Sequence, residues 1–127
     1  IADAAIKNNI SAVILTNTTN DNRDNLINEL KKEEGGLSGN PLQQISTNMI
    51  KKFFKELNNK IPIIGVGGVN SGKSAYEKII AGASLLQIYT SFVYRGPSVA
   101  KDIKKELIQI LKIEGIKNIK DAVGKGV

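Results

Sequence analysis

The sequence contains no cysteine and no histidine. Thiol nucleophiles, Cys/His zinc sites and imidazole bases are therefore excluded from these 127 residues. Long hydrophobic runs are also absent: the apolar stretches are of strand length, whereas a helix crossing a bilayer needs about 20 apolar residues. Aromatic residues make up only 5% of the chain, and no basic run is interleaved with them. The net charge of +6 thus lacks the pattern of a nucleic-acid interface. The pairs Lys31-Lys32, Lys51-Lys52 and Lys104-Lys105 each adjoin a helical pattern and read as solvated helix faces. An initiating Met and an N-cap are lacking too, ahead of the helical pattern "IADAAIKNN". The chain is expected to be a fragment or processed half of a larger domain that continues upstream of Ile1.

What is present alternates strands with helices. Residues 1 to 8 read as a helix end, closed where Asn8 and Asn9 tolerate a left-handed cap. Three continuous apolar runs, "SAVILT" (11–16), "IPIIGV" (61–66) and "SLLQIYT" (84–90), predict strands buried on both faces. "LINELKKEE" predicts a short helix after a polar, turn-rich stretch. Pro41 opens an amphipathic helix whose stripe is Leu42, Ile45, Met49, Ile50, Phe53 and Leu57. A further helix is expected from about Ser71 to Gly82. Pro97 opens a long helix with Val99, Ile103, Leu107, Ile110 and Leu111 on one face and Gly115 as its stop. The closing "IKNIKDAVGKGV" carries at most one more short turn. This order predicts an α/β fold, a parallel sheet covered by helices. An open doubly wound sheet and a piece of a (β/α)8 barrel both fit. Three strands are far too few for a whole barrel, which takes about 250 residues, and the abrupt start favours a barrel portion.

In parallel α/β folds ligands bind beyond the carboxyl ends of the strands, and all three ends carry unusual residues. The first ends in Thr16-Asn17-Thr18-Thr19, the second in Gly65, Gly67 and Gly68, and the third in Gln87, Tyr89 and Thr90. A glycine loop, Gly35-Gly36-Leu37-Ser38-Gly39, follows the first strand. Glycines let backbone N–H groups approach a phosphate, and helix N-termini favour anions. Asn and Thr can bind a planar heterocycle or a carboxylate directionally. Nothing in the set is a general base at neutral pH, so no catalytic residue is expected in this chain, and no metal site either. Each residue has a plainer role open to it, in turn hydrogen bonding or core packing. Their coincidence on one edge of three successive strands is what argues for a site.

One motif points elsewhere. From Gly67 the sequence reads G-x-x-x-x-G-K-S through Lys73 and Ser74, the phosphate-cradling P-loop pattern. A P-loop enzyme also needs a strand ending in an Asp that helps hold Mg²⁺. Neither "SAVILTN" nor "SLLQIYT" ends in a carboxylate, and Lys73 and Ser74 then read as ordinary residues of the following helix.

Taken together, "ILTNTT", "GGLSGNPL", "IPIIGVGGVNSGKSAYEKIIAGASLLQIYT", "RGP" and "DAVG" resemble the C-terminal part of class 2, quinone-dependent dihydroorotate dehydrogenases. The likeness runs from about Ile1 to Gly124. It implies that residues 1–127 are the C-terminal three βα units of a single FMN-binding (β/α)8 TIM barrel. It implies oxidation of dihydroorotate to orotate, with electrons passing through FMN to a quinone, in pyrimidine biosynthesis. By matching position, the FMN contacts are Thr16, Gly39, Gly67, Gly68, Tyr89 and Thr90, the last four at its phosphate. Asn17 and Thr18 match the substrate contacts. The family's catalytic serine base, a flavin-contacting lysine and the membrane-associating helices would lie upstream of Ile1, so the chain alone is expected not to be competent. Its partners would be the N-terminal part of the barrel, the substrate and a quinone, and not nucleic acid. Localisation at the mitochondrial inner membrane or the bacterial cytoplasmic membrane follows from the resemblance alone. A non-redox phosphate-binding barrel fragment and a P-loop nucleotide hydrolase are the alternative readings.

Overall fold

The computed structural model describes residues 1–21, 23–24 and 26–127. The apolar runs form three short strands, β1 (Val13–Leu15), β2 (Ile63–Gly65) and β3 (Ala83–Leu86). They make one parallel sheet in the order β1-β2-β3. Val13 pairs with Ile63, which pairs with Ala83, and all three are buried. The crossovers are helical, which is what parallel neighbours require. Helices α1 (Ala2–Lys7), α2 (Gln43–Leu57), α3 (Gly72–Ile80), α4 (Thr90–Arg95) and α5 (Val99–Ile113) complete the fold. Short 3₁₀ turns lie at Glu29–Lys32, Asn40–Leu42 and Ile119–Ala122.

The core sits between the sheet and α2, where Ile50, Phe53 and Leu57 meet Val13, Ile63 and Ala83, with Ala2 and Ala5 of α1 alongside. Each large apolar side chain so buried contributes roughly 1.5–3 kcal/mol. A second cluster joins Val69 and Ala75 to Val99 and Ile103, and a third joins Ile79 to Leu107, Ile116 and Ala122. Both lie between α3 and α5. Gly72 permits that close approach, since a Cβ there would stand 2.7 Å from backbone atoms of Glu106 and Leu107.

Several expectations need correction. The strands are not buried on both faces: Ile14 is 56% exposed and Leu85 62% exposed. These two pair through Ile64 and so share the face turned away from the helices, which no element among the described residues covers. The predicted third strand stops at Leu86, and Thr90 already opens α4. That helix has six residues, too few to show a period, and Gly96 ends it at φ +74°. "LINELKKEE" makes only the 3₁₀ turn Glu29–Lys32, capped by the Asn28 side chain. The turn-rich stretch before it includes residues 22 and 25, which lie outside the described residues. On α2, Ile45 and Met49 sit at the edge of the apolar stripe, each 38% exposed, while Ser46 is fully buried in their stead. Pro41 falls in the 3₁₀ turn just before α2. The left-handed residue after α1 is Asn9, at φ +51°. No helix among the described residues is long and apolar enough to cross a membrane.

Candidate functional site

The carboxyl ends of the three strands open onto one cavity of about 830 Å³, within the range of roughly 300–1,000 Å³ typical of cofactor and small-molecule pockets. All eight residues singled out from the sequence line it: Thr16, Asn17, Thr18, Gly39, Gly67, Gly68, Tyr89 and Thr90. Parallel strands in register bring their ends to one edge, which is why residues more than 70 positions apart meet here.

At the end of β1, the Asn17 side-chain carbonyl accepts from the Thr18 N–H at 2.7 Å. The amide NH₂ of Asn17 is thereby the end left to donate outward. The glycine loop lies directly over this segment. Leu37 and Thr19 exchange backbone hydrogen bonds of 2.7 and 3.2 Å, and a Cβ on Gly36 would stand only 1.9 Å from Thr18 Oγ1. Gly39, at φ +77°, approaches Thr90 in the same way, with 3.0 Å from its Cβ position to Thr90 Cγ2. The Thr90 hydroxyl donates to Ser38 Oγ at 3.0 Å. The rim is therefore laced together across the first and third strand ends. Asn70 Nδ2 adds a bond to Asn40 Oδ1 at 3.0 Å, and Ser91 Oγ one to the Val69 carbonyl at 2.7 Å.

At the end of β2 the chain turns through two consecutive left-handed glycines, Gly67 (φ +104°) and Gly68 (φ +74°). Gly68 rests on the first residue of α2: a Cβ there would lie 2.6 Å from Gln43 Cα. Among the described residues, the N–H groups of Gly67 and Gly68 have no protein acceptor. Nor do those of Tyr89 and Thr90 at the head of α4. The lining contains no carboxylate and one cation, Arg95, which donates to the Asn70 carbonyl and lies 3.9 Å from Asp102. Free backbone donors from two adjacent strand ends, one guanidinium and no negative charge suit a phosphate. Arg95 was not among the residues picked from the sequence, because nothing in "RGP" marks a helix ending beside β2.

The apparent P-loop dissolves in this geometry. Lys73 is exposed and does not line the cavity. Ser74 is buried and closes a capping box with Ser71: Ser71 Oγ accepts from the Ser74 N–H at 3.2 Å, and Ser74 Oγ from the Ser71 N–H at 3.0 Å. Such a box fixes the start of α3. The two residues that completed the motif thus serve the helix.

Behind the turn, the Lys78 side chain is fully buried. Its ammonium donates to Ser46 Oγ, to Thr47 Oγ1 at 3.0 Å and to the Gln43 carbonyl at 3.3 Å. Ser46 Oγ in turn donates to the Gly67 carbonyl at 3.0 Å. Burial lowers the Lys78 ammonium to about 8, with Glu77 opposing the change. Sequence reasoning placed Lys78 on an ordinary helix, and its only signal was a lysine spaced to fall on the buried face beside Ala75 and Ile79.

The dihydroorotate dehydrogenase family profile matches residues 1–111. Over 125 residues the chain is 45% identical to the mitochondrial dihydroorotate dehydrogenase (quinone) of Arabidopsis thaliana, covering 98% of this chain and 27% of that protein. It is 46% identical to the mouse counterpart over 124 residues, 98% of this chain and 31% of that one. Among solved structures, a ligand-free type DHODH from Eimeria tenella superposes with a TM-score of 0.94 at 44% identity. That match covers 98% of this chain and 34% of the Eimeria chain. The chain thus spans about a third of the length of the relatives it matches. Its three strands and their helices are βα units of the TIM barrel these enzymes share.

Proposed function

The chain belongs to the dihydroorotate dehydrogenase family, and from that premise we propose that it forms the phosphate-holding C-terminal part of a quinone-dependent enzyme oxidising dihydroorotate to orotate with FMN. In this reading residues 1–127 share one barrel domain with an N-terminal part, carried on the same chain or a separate one. The observation that carries it is the meeting of all eight candidate residues around one cavity, with unpartnered backbone N–H groups at two adjacent strand ends. The site fits the group: backbone N–H groups without a protein acceptor among the described residues and the Arg95 guanidinium face a lining with no carboxylate.

FMN, when bound, supplies the two-electron acceptor. The residues of this chain bind and orient. The N–H groups of Gly67, Gly68, Tyr89 and Thr90 would hold its phosphate, with helix α4 starting at the anion. Thr16 and Gly39 would lie against the cofactor. Asn17, its carbonyl oxygen already engaged by Thr18, would donate its NH₂ to the substrate carboxylate or ring carbonyl, with the Thr18 hydroxyl beside it. The lining offers no carboxylate, and the chain no imidazole or thiol. In this reading the proton acceptor for substrate oxidation, a serine by the family resemblance, belongs to the remainder of the barrel. The names of the relatives support a quinone acceptor, and a membrane surface, mitochondrial or bacterial, is part of the same proposal.

A flavin titration tests the reading. With the N-terminal part of a quinone-dependent relative supplied, the assembled protein is expected to bind one FMN per chain, and dihydroorotate should bleach the flavin absorbance. Failure to take up FMN, together with binding of ATP and Mg²⁺, would overturn it.

A further inference from the structure

Lys78 occupies a costly place. Its ammonium is buried, and it donates to the first turn of α2, the end of a helix whose dipole repels a cation. An apolar side chain of the same length would fill that space without desolvating a charge. What the ammonium adds is direction. Its three N–H bonds are matched by three acceptors, Gln43 O, Ser46 Oγ and Thr47 Oγ1. Because Ser46 Oγ accepts from Lys78, its single proton must point away from the lysine. The Gln43 carbonyl is already taken by Lys78 and by Thr47 Oγ1 at 2.7 Å. The nearer acceptor for Ser46 is the Gly67 carbonyl, at 3.0 Å against 3.3 Å to Gln43 O.

That bond sets the next peptide plane. The Gly67–Gly68 bond is trans, so the Gly68 N–H points opposite to the Gly67 carbonyl. With the carbonyl tied back to Ser46 on α2, the Gly68 N–H is aimed away from α2, on the side of the cavity that both glycines line. We propose that Lys78 and Ser46 are positioning residues that fix the Gly67–Gly68 turn so that its N–H groups receive the phosphate of the flavin. This rests on the FMN reading above and extends it to two side chains that do not line the cavity. A neutral lysine has a lone pair that can accept the Ser46 proton, and the relay to Gly67 is then released. Glu77, bound to Gln43 Nε2 at 2.7 Å, is the charge acting on Lys78. Across the junction α2 presents Gln43, Ser46 and Thr47, the glycine turn has no titratable group, and Glu106 of α5 is engaged by the Gly72 N–H.

The experiment compares FMN with riboflavin, which lacks the phosphate, in the assembled barrel by fluorescence quenching. Ser46→Ala and Lys78→Met are each expected to weaken FMN about ten-fold, the loss of one charge-assisted hydrogen bond, and to change riboflavin by less than two-fold. Wild-type preference for FMN should fall between pH 7.5 and 9, while both variants show a flat profile. Equal weakening of both flavins, or of neither, overturns the positioning role. An unchanged FMN preference in the variants sinks this proposal alone, whereas a wild type that binds no FMN sinks the functional reading with it. Ser46→Ala removes one hydroxyl and keeps the ammonium, so it decides the matter even where Lys78→Met fails to fold.

Discussion

Replacing Gly68 by Ala asks whether the turn at the end of β2 truly rests on helix α2. The added Cβ would lie 2.6 Å from Gln43 Cα and Cβ and 2.7 Å from Gln43 N. Ordinary contact begins at 3.4 Å, so the methyl needs roughly 0.8 Å more room. The obstruction is backbone at the head of a fifteen-residue helix, and no rotamer change relieves it. Either the turn or the start of α2 must shift, at about 1–3 kcal/mol by analogy with overpacked cores. The positive φ of +74° adds strain of roughly 1 kcal/mol. Gly115→Ala is the control, because Gly115 has φ +68° with nothing within 4 Å of its Cβ position and carries the conformational strain alone. Equilibrium denaturation of the assembled protein should show a loss of about 2–4 kcal/mol for Gly68→Ala and about 1 kcal/mol for Gly115→Ala. FMN affinity should fall at least ten-fold in the first variant and stay unchanged in the second. Equal destabilisation by the two substitutions would refute the close approach, and with it the account of why this position is glycine.

Two further outcomes can be checked. Asn17→Ala combined with Thr18→Val removes the outward amide and a hydroxyl. Dihydroorotate affinity should fall by about ten-fold or more while FMN affinity, measured by titration, changes less than two-fold; a larger loss for FMN would reverse the assignment. Stability should depend on pH through Lys78, whose folded-state value near 8 lies below the ordinary 10.5. Between those values the unfolded chain holds the proton and the folded chain does not, so stability should rise with pH from about 8 to 10.5. The gain is at most about 3 kcal/mol, and Lys78→Met should abolish the slope; a variant with the same slope as wild type would exclude Lys78 as its source.

The parallel α/β order and the site edge were legible because both depend on short-range features. Buried strands read as apolar runs, and strand ends carry the polar and glycine residues that a core cannot hold. Helix α4 was hidden because six residues span under two turns, and the serine and aromatics of "TSFVYR" show no period. The exposure of Ile14 and Leu85 was equally hidden, since a run of apolar residues looks the same whether one face is covered or both. The Lys78–Ser46–Gly67 relay joins residues up to 32 positions apart in the chain, and each alone looks unremarkable: a lysine among many, a serine in a helix. By contrast, the P-loop match was legible and misleading. It is a pattern of residue types that a capped helix following a glycine turn satisfies without any nucleotide.

Among the described residues, the sheet has a free side on each of its outer strands, β1 and β3, as well as an uncovered face. Any segment that completes it must therefore dock along two hydrogen-bonding seams at once while filling the space over Ile14, Ile64 and Leu85. A segment that matched only one seam would leave the other as a template for pairing with copies of itself. In the proposed barrel, closing both seams would also complete the wall of the cavity at the strand ends. On the proposed reading, ligand affinity and closure would be linked, and a flavin that binds only the closed form would also stabilise it.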